Sequence, residues 1–355
     1  MKILVLPIEK SNPYQDLLYG AMRPLGVEVS YLATLTPSKT LNILLLPAEM
    51  AMRRLGGARV VHLHWVWAFG LDISPRSPLV KRATEVWFAV WLWTLRLLGM
   101  RLVWTAHNVL PLTPVFANDL RARRRLAARC DLVIVHSKAT LEQLARLGIV
   151  PRRSMVIPHG PFTSAVDPDS LRTPGDGHGS RQLLFFGKIR PYKGVDTLLA
   201  AFAAMPRDLD VRLTVAGECT NGQLRAELAE FAERAAGRVT LQLERVPEAQ
   251  LPGLLQQADV MVLPYRQITT SGSGMLGLCH GRPLVVPDIP ELAELPDDAV
   301  LRYDGTVQGL TDALTSIAQT DGAVLAKMSA AAFDYCAVTN WSEIGEKTFK
   351  AMREI

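Results

Sequence analysis

Residues 187–194, Gly-Lys-Ile-Arg-Pro-Tyr-Lys-Gly, place three cations between two glycines in one short loop. An apolar run, Leu183 to Phe186, leads into it, and a helical pattern, Val195 to Phe202, leads out. A strand, a glycine and a helix start are the parts of a phosphate cradle. Backbone N–H groups and the helix dipole supply partial positive charge, and Lys188, Arg190 and Lys193 supply full charges. Read alone, the loop fits a solvated basic turn equally well. A second segment favours the cradle. Thr269-Thr270-Ser271-Gly272-Ser273-Gly274 opens another helix just after an apolar strand, Asp259 to Pro264. Its small hydroxyls and N–H groups suit a diphosphate, although Ser271 also reads as an ordinary N-cap.

The first half of the chain offers groups for proton transfer. A general base must lie within reach of the hydroxyl it deprotonates. Three segments follow predicted strands: Glu9 to Gln15, His62 to Trp65, and Thr105 to Asn108. His107 and Glu9 are the catalytic candidates, and Asn12, Tyr14, Gln15, His64 and Asn108 are candidates for contact with an acceptor. His107 ends a predicted strand and precedes Pro111 and Pro114, which carries it to a strand-end cleft; a satisfied loop histidine is the alternative. His62 and His64 share the parity of one strand and so face the same side. Packing is the simpler reading for His62, and neither shows metal-ligand spacing with a third residue.

These groups sit on alternating elements. Strands fit Lys2–Pro7, Glu28–Leu32, Val60–Trp65, Arg101–Thr105, Leu132–His136 and Met155–Pro158, with helical patterns at Gln15–Met22, Ser77–Leu98 and Ala139–Leu147. The second half repeats the scheme. Its strands fit Gln182–Phe186, Arg212–Ala216, Val239–Glu244, Val260–Pro264 and Pro283–Val286; its helices fit Val195–Ala204, Gly222–Ala236, Glu248–Gln257 and Gly274–His280. Such alternation predicts an α/β chain with two doubly wound parallel sheets. With 355 residues, two domains are expected: 1–162, a Pro/Gly/Ser-rich linker over 163–180, a second domain over 181–335, and a terminal helical segment over 336–355. Ligands of open α/β sheets bind at the carboxyl ends of the strands.

Charge is divided unevenly. Residues 1–160 carry 21 Lys/Arg against 9 Asp/Glu, and the remainder 18 against 25. A basic first half suggests an anionic counterpart. There is no RRM, zinc-finger or helix-turn-helix signature, so nucleic acid is set aside in favour of a membrane leaflet or a diphosphate-bearing substrate. The Trp-rich stretch 86–104 bears on the leaflet. Its unbroken apolar run, Val86 to Trp93, is far shorter than the roughly 20 residues of a membrane span. Trp87, Trp91 and Trp93 between basic flanks fit a helix in the membrane interface, or one buried against a sheet. The arginines at 121, 123, 124, 125 and 129 would add attraction to anionic lipid, or mark a solvated helix face. Cys130, Cys219, Cys279 and Cys336 form no CxxC pair. Cys130 and Cys279 read as small core residues, and a reduced cytoplasmic setting is expected. Met1-Lys2 runs into a strand with no signal-peptide pattern.

The chain resembles the GT-B glycosyltransferases of the group-1, family-4-like type over nearly its whole length. Their second domain carries a G-R-x-x-x-x-K-G loop, matched by Gly187 to Gly194, with Lys188 where Arg is commoner and Lys193 in direct correspondence. Arg245-Val246-Pro247 followed by Glu248 to Leu251 resembles the loop that receives the nucleotide base. Ala258 to Pro264 matches the strand before the donor site, and Gly281-Arg282-Pro283-Leu284-Val285-Val286 matches a G-x-P-V-V segment. The resemblance implies a nucleotide-diphosphate sugar donor on the second domain, an acceptor on the first, and a terminal helix that crosses back. It also implies a donor-sugar contact at His107.

One departure matters. Retaining members carry two glutamates eight positions apart, and the matching positions here are Ile268 and Leu276. Some related inverting enzymes also lack the pair, among them β-mannosyltransferases acting on polyprenyl-diphosphate oligosaccharides. The resemblance therefore points to an inverting, metal-independent hexosyltransferase, with GDP-mannose as first-choice donor. The acceptor would be a lipid-linked saccharide in polysaccharide assembly at the inner membrane face. A retaining UDP-sugar transferase, a nucleotide-sugar epimerase and a non-catalytic nucleotide-sugar or membrane-binding protein are the alternatives. No G-x-G-x-x-G follows the first strand, which argues against a dinucleotide-dependent oxidoreductase.

Overall fold

The computed structural model describes residues 1–9, 12–71, 77–111, 113–161, 173–174, 179–235, 237–268 and 271–355. Most of the expected 163–180 linker lies outside them. The chain divides into two compact units: Met1–Pro158 with Trp341–Ile355, and His159–Asn340.

The first unit is built on β1 (Lys2–Leu6), β2 (Glu28–Tyr31), β3 (Val60–Leu63), β4 (Arg101–Thr105), β5 (Leu132–Val135) and β6 (Ser154–Val156). They pair in the order β2-β1-β3-β4-β5-β6, all in parallel. The central strands are almost wholly buried, as in a parallel sheet covered on both faces. The helices are α1 (Tyr14–Met22), α2 (Lys39–Leu55), α3 (Pro78–Leu97), α4 (Asp119–Arg129) and α5 (Lys138–Arg146).

The second unit repeats the plan with β7 (Arg181–Phe186), β8 (Val211–Ala216), β9 (Val239–Gln242), β10 (Val260–Val262), β11 (Leu284–Pro287) and β12 (Val300–Tyr303). Their order is β12-β11-β10-β7-β8-β9. The helices are α6 (Val195–Ala204), α7 (Gly222–Arg234), α8 (Leu251–Gln257), α9 (Gly272–Cys279), α10 (Val307–Gln319) and α11 (Gly322–Val338). The last helix, α12 (Trp341–Arg353), belongs to the first unit and packs on α1. There a Cβ on Gly345 would come within 2.9 Å of Ala21 Cβ.

Each order contains one switch point, where successive strands leave in opposite directions. It lies between β1 and β3 in the first unit and between β7 and β10 in the second. A crevice opens there at the strands' carboxyl ends. The loops that leave these four strands carry most of the candidate residues; His107 and Asn108 follow β4, and Arg245 and Val246 follow β9.

Three expectations meet the structure differently. Cys279, read as a free core thiol, is bridged to Cys336, tying α9 to α11; Cys130 and Cys219 are buried and free. The Trp-rich helix α3 is buried on one face, as the packing reading expects, and exposed on the other. Phe88, Trp91, Leu92 and Leu95 are buried, while Leu79 (80 %), Val86 (60 %), Trp93 (64 %) and Leu97 (69 %) are exposed. The arginines of α4 are largely occupied within the unit. Arg121 and Arg125 pair with Glu85 of α3, at 2.6 and 3.6 Å. Arg123 is buried and donates to Val109 O, and Arg124 and Arg129 donate to the carbonyls of Leu147 and Met100.

Candidate active site

At the second unit's switch point, backbone approaches backbone. Gly187 follows β7 at φ +139°, and a Cβ there would meet Ser273 Oγ at 2.8 Å. Gly217 follows β8 at φ +141°, and its Cβ would meet Gly187 O at 2.0 Å. Gly194 caps α6 at φ +70°, and its Cβ would meet Pro264 O, just past β10, at 1.9 Å. Only glycine fits such positions, because they combine positive φ with no room for a side chain. Together they press the 187–194 loop against the chain that leaves β10 and against the start of α9.

The side chains follow that frame. Lys193 Nζ lies 4.1 Å from the centre of the Tyr265 ring, a cation–π contact that holds the charge over the switch point. Tyr265 Oη is 2.8 Å from Ser271 Oγ, which accepts from Gly274 N at 2.9 Å. Ser271 is thus the N-cap of α9, and the first N–H groups of that helix, from Gly272 and Ser273, have no intrahelical acceptor. Lys188 is exposed and makes no hydrogen bond or ion pair among the described residues. Arg190 is turned the other way: it donates to Ile189 O at 2.9 Å and pairs with Glu218 at 3.8 Å. Arg245 is exposed beyond the edge strand β9, beside a half-buried Val246. Thr270 lies outside the described residues.

The first unit's strand ends are filled instead with rings. His62 and His64 stand side by side, 4.1 Å between centroids, as strand parity requires. His107 stacks on Trp65 at 4.5 Å and receives the edge of Tyr14 at 4.6 Å. Tyr14 also meets His136 and Trp341 of α12, at 5.5 and 5.2 Å. All four histidines are buried, and burial lowers the His62 and His136 pKa values to about 3 and about 4. His64 is also lowered, by burial first and then by its histidine neighbours. The loop after β1 is tied down locally. Gln15 Nε2 donates to Pro7 O at 2.7 Å, Glu9 N donates to Gln15 Oε1 at 3.0 Å, and Tyr14 N donates to Asn12 Oδ1 at 2.9 Å. Asn108 is exposed next to buried His107.

Within the first unit, then, the structure brings Tyr14, His64 and His107 together, while Asn12 and Gln15 shape the loop beside them. Tyr19, His136 and Trp341 join the same cluster and are not foreseen from sequence. A signal for His136 exists: β3, β4 and β5 are neighbours, and each is followed within two residues by a histidine (His64, His107 and His136). Among the described residues, no group of three or more His, Cys, Asp or Glu is arranged to hold a metal ion.

Residues 180–320 match the model of glycosyl transferases group 1, and residues 79–163 match that of glycosyltransferase family 4. A GDP-mannose:glycolipid 4-beta-D-mannosyltransferase of Xanthomonas campestris pv. campestris is 28% identical over 307 residues, 84% of this chain and 77% of that one. A D-inositol 3-phosphate glycosyltransferase of Segniliparus rotundus is 31% identical over 227 residues, 57% of this chain and 49% of that one. Among solved structures, a sucrose-phosphate synthase from Thermosynechococcus elongatus superposes with a TM-score of 0.75 at 16% identity, covering 100% of this chain and 98% of its own. Anabaena Alr3699/HepE in complex with UDP and glucose gives 0.71 at 19%, with both chains fully covered. At such identities the structures establish the fold, which is GT-B. The chain is a glycosyltransferase. Within that class its similarity is to the group-1 and family-4 enzymes, over the two spans matched.

Proposed function

We propose that this enzyme transfers mannose from GDP-mannose to a lipid-linked saccharide, with inversion and without a metal ion. The observation that carries the reading is the convergence, within the second unit, of the glycine-shaped 187–194 loop, Lys193 on Tyr265 and the capped start of α9. As the C1–O bond breaks, negative charge gathers on the departing diphosphate. Lys193 and the α9 N–H groups are fixed donors for that charge, and Lys188 adds an exposed one. Arg190 would add to them only by leaving Glu218. The acceptor hydroxyl oxygen bonds to C1, GDP leaves, and the hydroxyl proton passes to a base. We assign the acceptor to the first unit and the base to Glu9, with His107, His64, Tyr14 and Asn108 shaping the acceptor end. Arg245 and Val246 are assigned to the base of the nucleotide. The 28%-identical relative supports the choice of donor and the glycolipid acceptor through its name. The missing glutamate pair supports inversion.

The lipid part of the reading rests on the first unit's surface. No helix among the described residues is long and apolar enough to cross a membrane. The exposed stripe of α3 borders a groove of about 790 Å³ that is lined by Trp93, Arg96, Arg101, Arg125, Arg129 and Arg152. Apolar residues beside arginines suit a peripheral seat on an anionic leaflet, at the inner face of the cell membrane and in polysaccharide assembly.

A thermal-shift panel of GDP, UDP, ADP and their sugars on the purified chain tests the donor, with Lys193→Ala alongside. A GDP-selective shift lost in Lys193→Ala supports the reading; a UDP-selective shift moves the donor to a UDP-sugar, and no shift at all sinks the transferase assignment of this loop. Mannosyl transfer to a lipid-linked oligosaccharide, with the product anomer read by NMR, tests acceptor and stereochemistry. Co-sedimentation with phosphatidylglycerol vesicles tests the seat.

A further inference from the structure

The four buried histidines of the first unit belong to one continuous line of hydrogen bonds. Thr105 Oγ1 is 2.8 Å from His62 Nε2, and His62 Nδ1 is 2.8 Å from Tyr19 Oη. Tyr19 Oη is 2.8 Å from His64 Nε2, and His64 Nδ1 is 3.1 Å from His107 Nε2. His107 Nδ1 is 3.2 Å from His136 Nε2, and His136 Nδ1 is 2.9 Å from the Ile157 carbonyl oxygen.

The direction of the whole line follows from its last bond. A carbonyl only accepts, so His136 carries its proton on Nδ1. Burial keeps that ring neutral, which leaves Nε2 as a bare acceptor. His107 must therefore donate from Nδ1. A neutral His107 then has a bare Nε2, which accepts from His64 Nδ1–H. His64 Nε2 accepts from Tyr19 Oη–H, the Tyr19 oxygen accepts from His62 Nδ1–H, and His62 Nε2 accepts from Thr105 Oγ1–H. Every bond has one donor and one acceptor, and only the Tyr19 hydroxyl, which can do both, accepts and donates at one atom. A second pattern exists on paper. If His107 were an imidazolium, it would donate from both nitrogens and every bond from His64 to Thr105 would reverse. A cation in this desolvated stack of rings carries a large burial cost, so the neutral line prevails. The line does not conduct protons through the unit, because the Ile157 carbonyl has no proton to pass on.

We propose that the Ile157 carbonyl, acting through His136, fixes His107, His64 and His62 in the Nδ1–H tautomer, and that His136 and His64 are positioning residues for His107. Both ring nitrogens of His107 are engaged in this state, so it serves the acceptor end as an oriented neutral ring and leaves proton abstraction to another group. The tautomer assignment stands on the hydrogen-bond geometry and on the burial of the rings; the kinetic consequence rests on the transferase reading above.

The test uses the full chain labelled with ¹⁵N-histidine. Long-range ¹H–¹⁵N spectra at neutral pH separate the two tautomers and the imidazolium, and His136→Asn, His136→Gln and His64→Gln assign the signals. The expected result is that four of the seven histidines give the Nδ1–H pattern, the less common one for solvated imidazole. His136→Asn keeps a donor for Ile157 but is too short to accept from His107. It should abolish the Nδ1–H signature of His107 and lower kcat on the order of 10- to 100-fold, with donor KM little changed. His136→Gln, which places an oxygen near the lost Nε2, should restore the signature and part of kcat. An imidazolium or an Nε2–H tautomer at His107 in the unsubstituted chain overturns the proposal. So does a His136→Asn enzyme with unaltered His107 signals. The unsubstituted spectrum needs no substrate, and fewer than four Nδ1–H rings in it overturns the proposal without any variant, even if the donor is not GDP-mannose.

Discussion

The two sheets end in opposite ways. At the carboxyl edge of the first, the space is filled by neutral imidazole, phenol and indole rings that hold one another. At that of the second, glycines leave the backbone bare and two lysines stand at the rim. One doubly wound scaffold thus makes a rigid uncharged wall in one unit and a cationic backbone cradle in the other. On the reading proposed above, the difference matches the demands of glycosyl transfer. A leaving diphosphate needs positive charge, and an attacking hydroxyl needs orientation.

The strongest way to break the contrast is to give the cradle a side chain. Gly194→Ala puts a Cβ into the Pro264 carbonyl at positive φ, and should destabilise the chain by about 3 kcal/mol or more in urea unfolding and erase the nucleotide shift. The same Gly→Ala change at Gly253, which has open space, should do neither. Removing charge without disturbing the backbone comes next. Lys193→Ala should lower kcat/KM by on the order of 10²–10³-fold, as loss of a fixed donor to developing anionic charge does, while the melting temperature without nucleotide barely moves. The wall is probed by acid. His62 and His136 have folded pKa values lowered to about 3 and about 4, so the unfolded chain binds more protons below pH ~6.5. Stability should be full above that pH and fall as pH drops towards 4, by up to about 1.4 kcal/mol per pH unit for each histidine. Urea midpoints at pH 7, 6 and 5 measure the slope, and a flat profile would mean that these rings are solvated. The smallest effect belongs to Ser271→Ala. Loss of the α9 cap should cost about 1 kcal/mol and weaken nucleotide binding only modestly; a loss as large as that of Lys193→Ala would make the hydroxyl a direct phosphate ligand.

Much of the second unit's candidate site is legible in the sequence because it is contiguous. Glycine, lysine and helix start lie within one loop, and each marks itself by residue type. The histidine line is legible only in pieces. His64 and His107 stand out as strand-end residues, but Tyr19, His136 and Trp341 come from other elements, and their meeting depends on strand order and on a helix from the far end of the chain. Arg190 shows the converse: it fits the motif, yet its side chain is held by Glu218, a residue on the next strand's loop. The elements missed have local causes. α2 contains Pro47, which reads as a break, and β12 is a four-residue edge strand beside a turn rich in aspartate. The helices α10 and α11 follow no strand signal strong enough to frame them.

The placement of α12 carries a consequence for how the protein comes into being. The ribosome delivers α1 and the six strands of the first unit long before it delivers Trp341, which touches Tyr14, and Gly345, which touches Ala21. The second unit is sequence-contiguous and can close as soon as it emerges. The first, although begun earlier, waits for the final segment, so the histidine wall is sealed last and a chain cut short after Asn340 would lack its keystone.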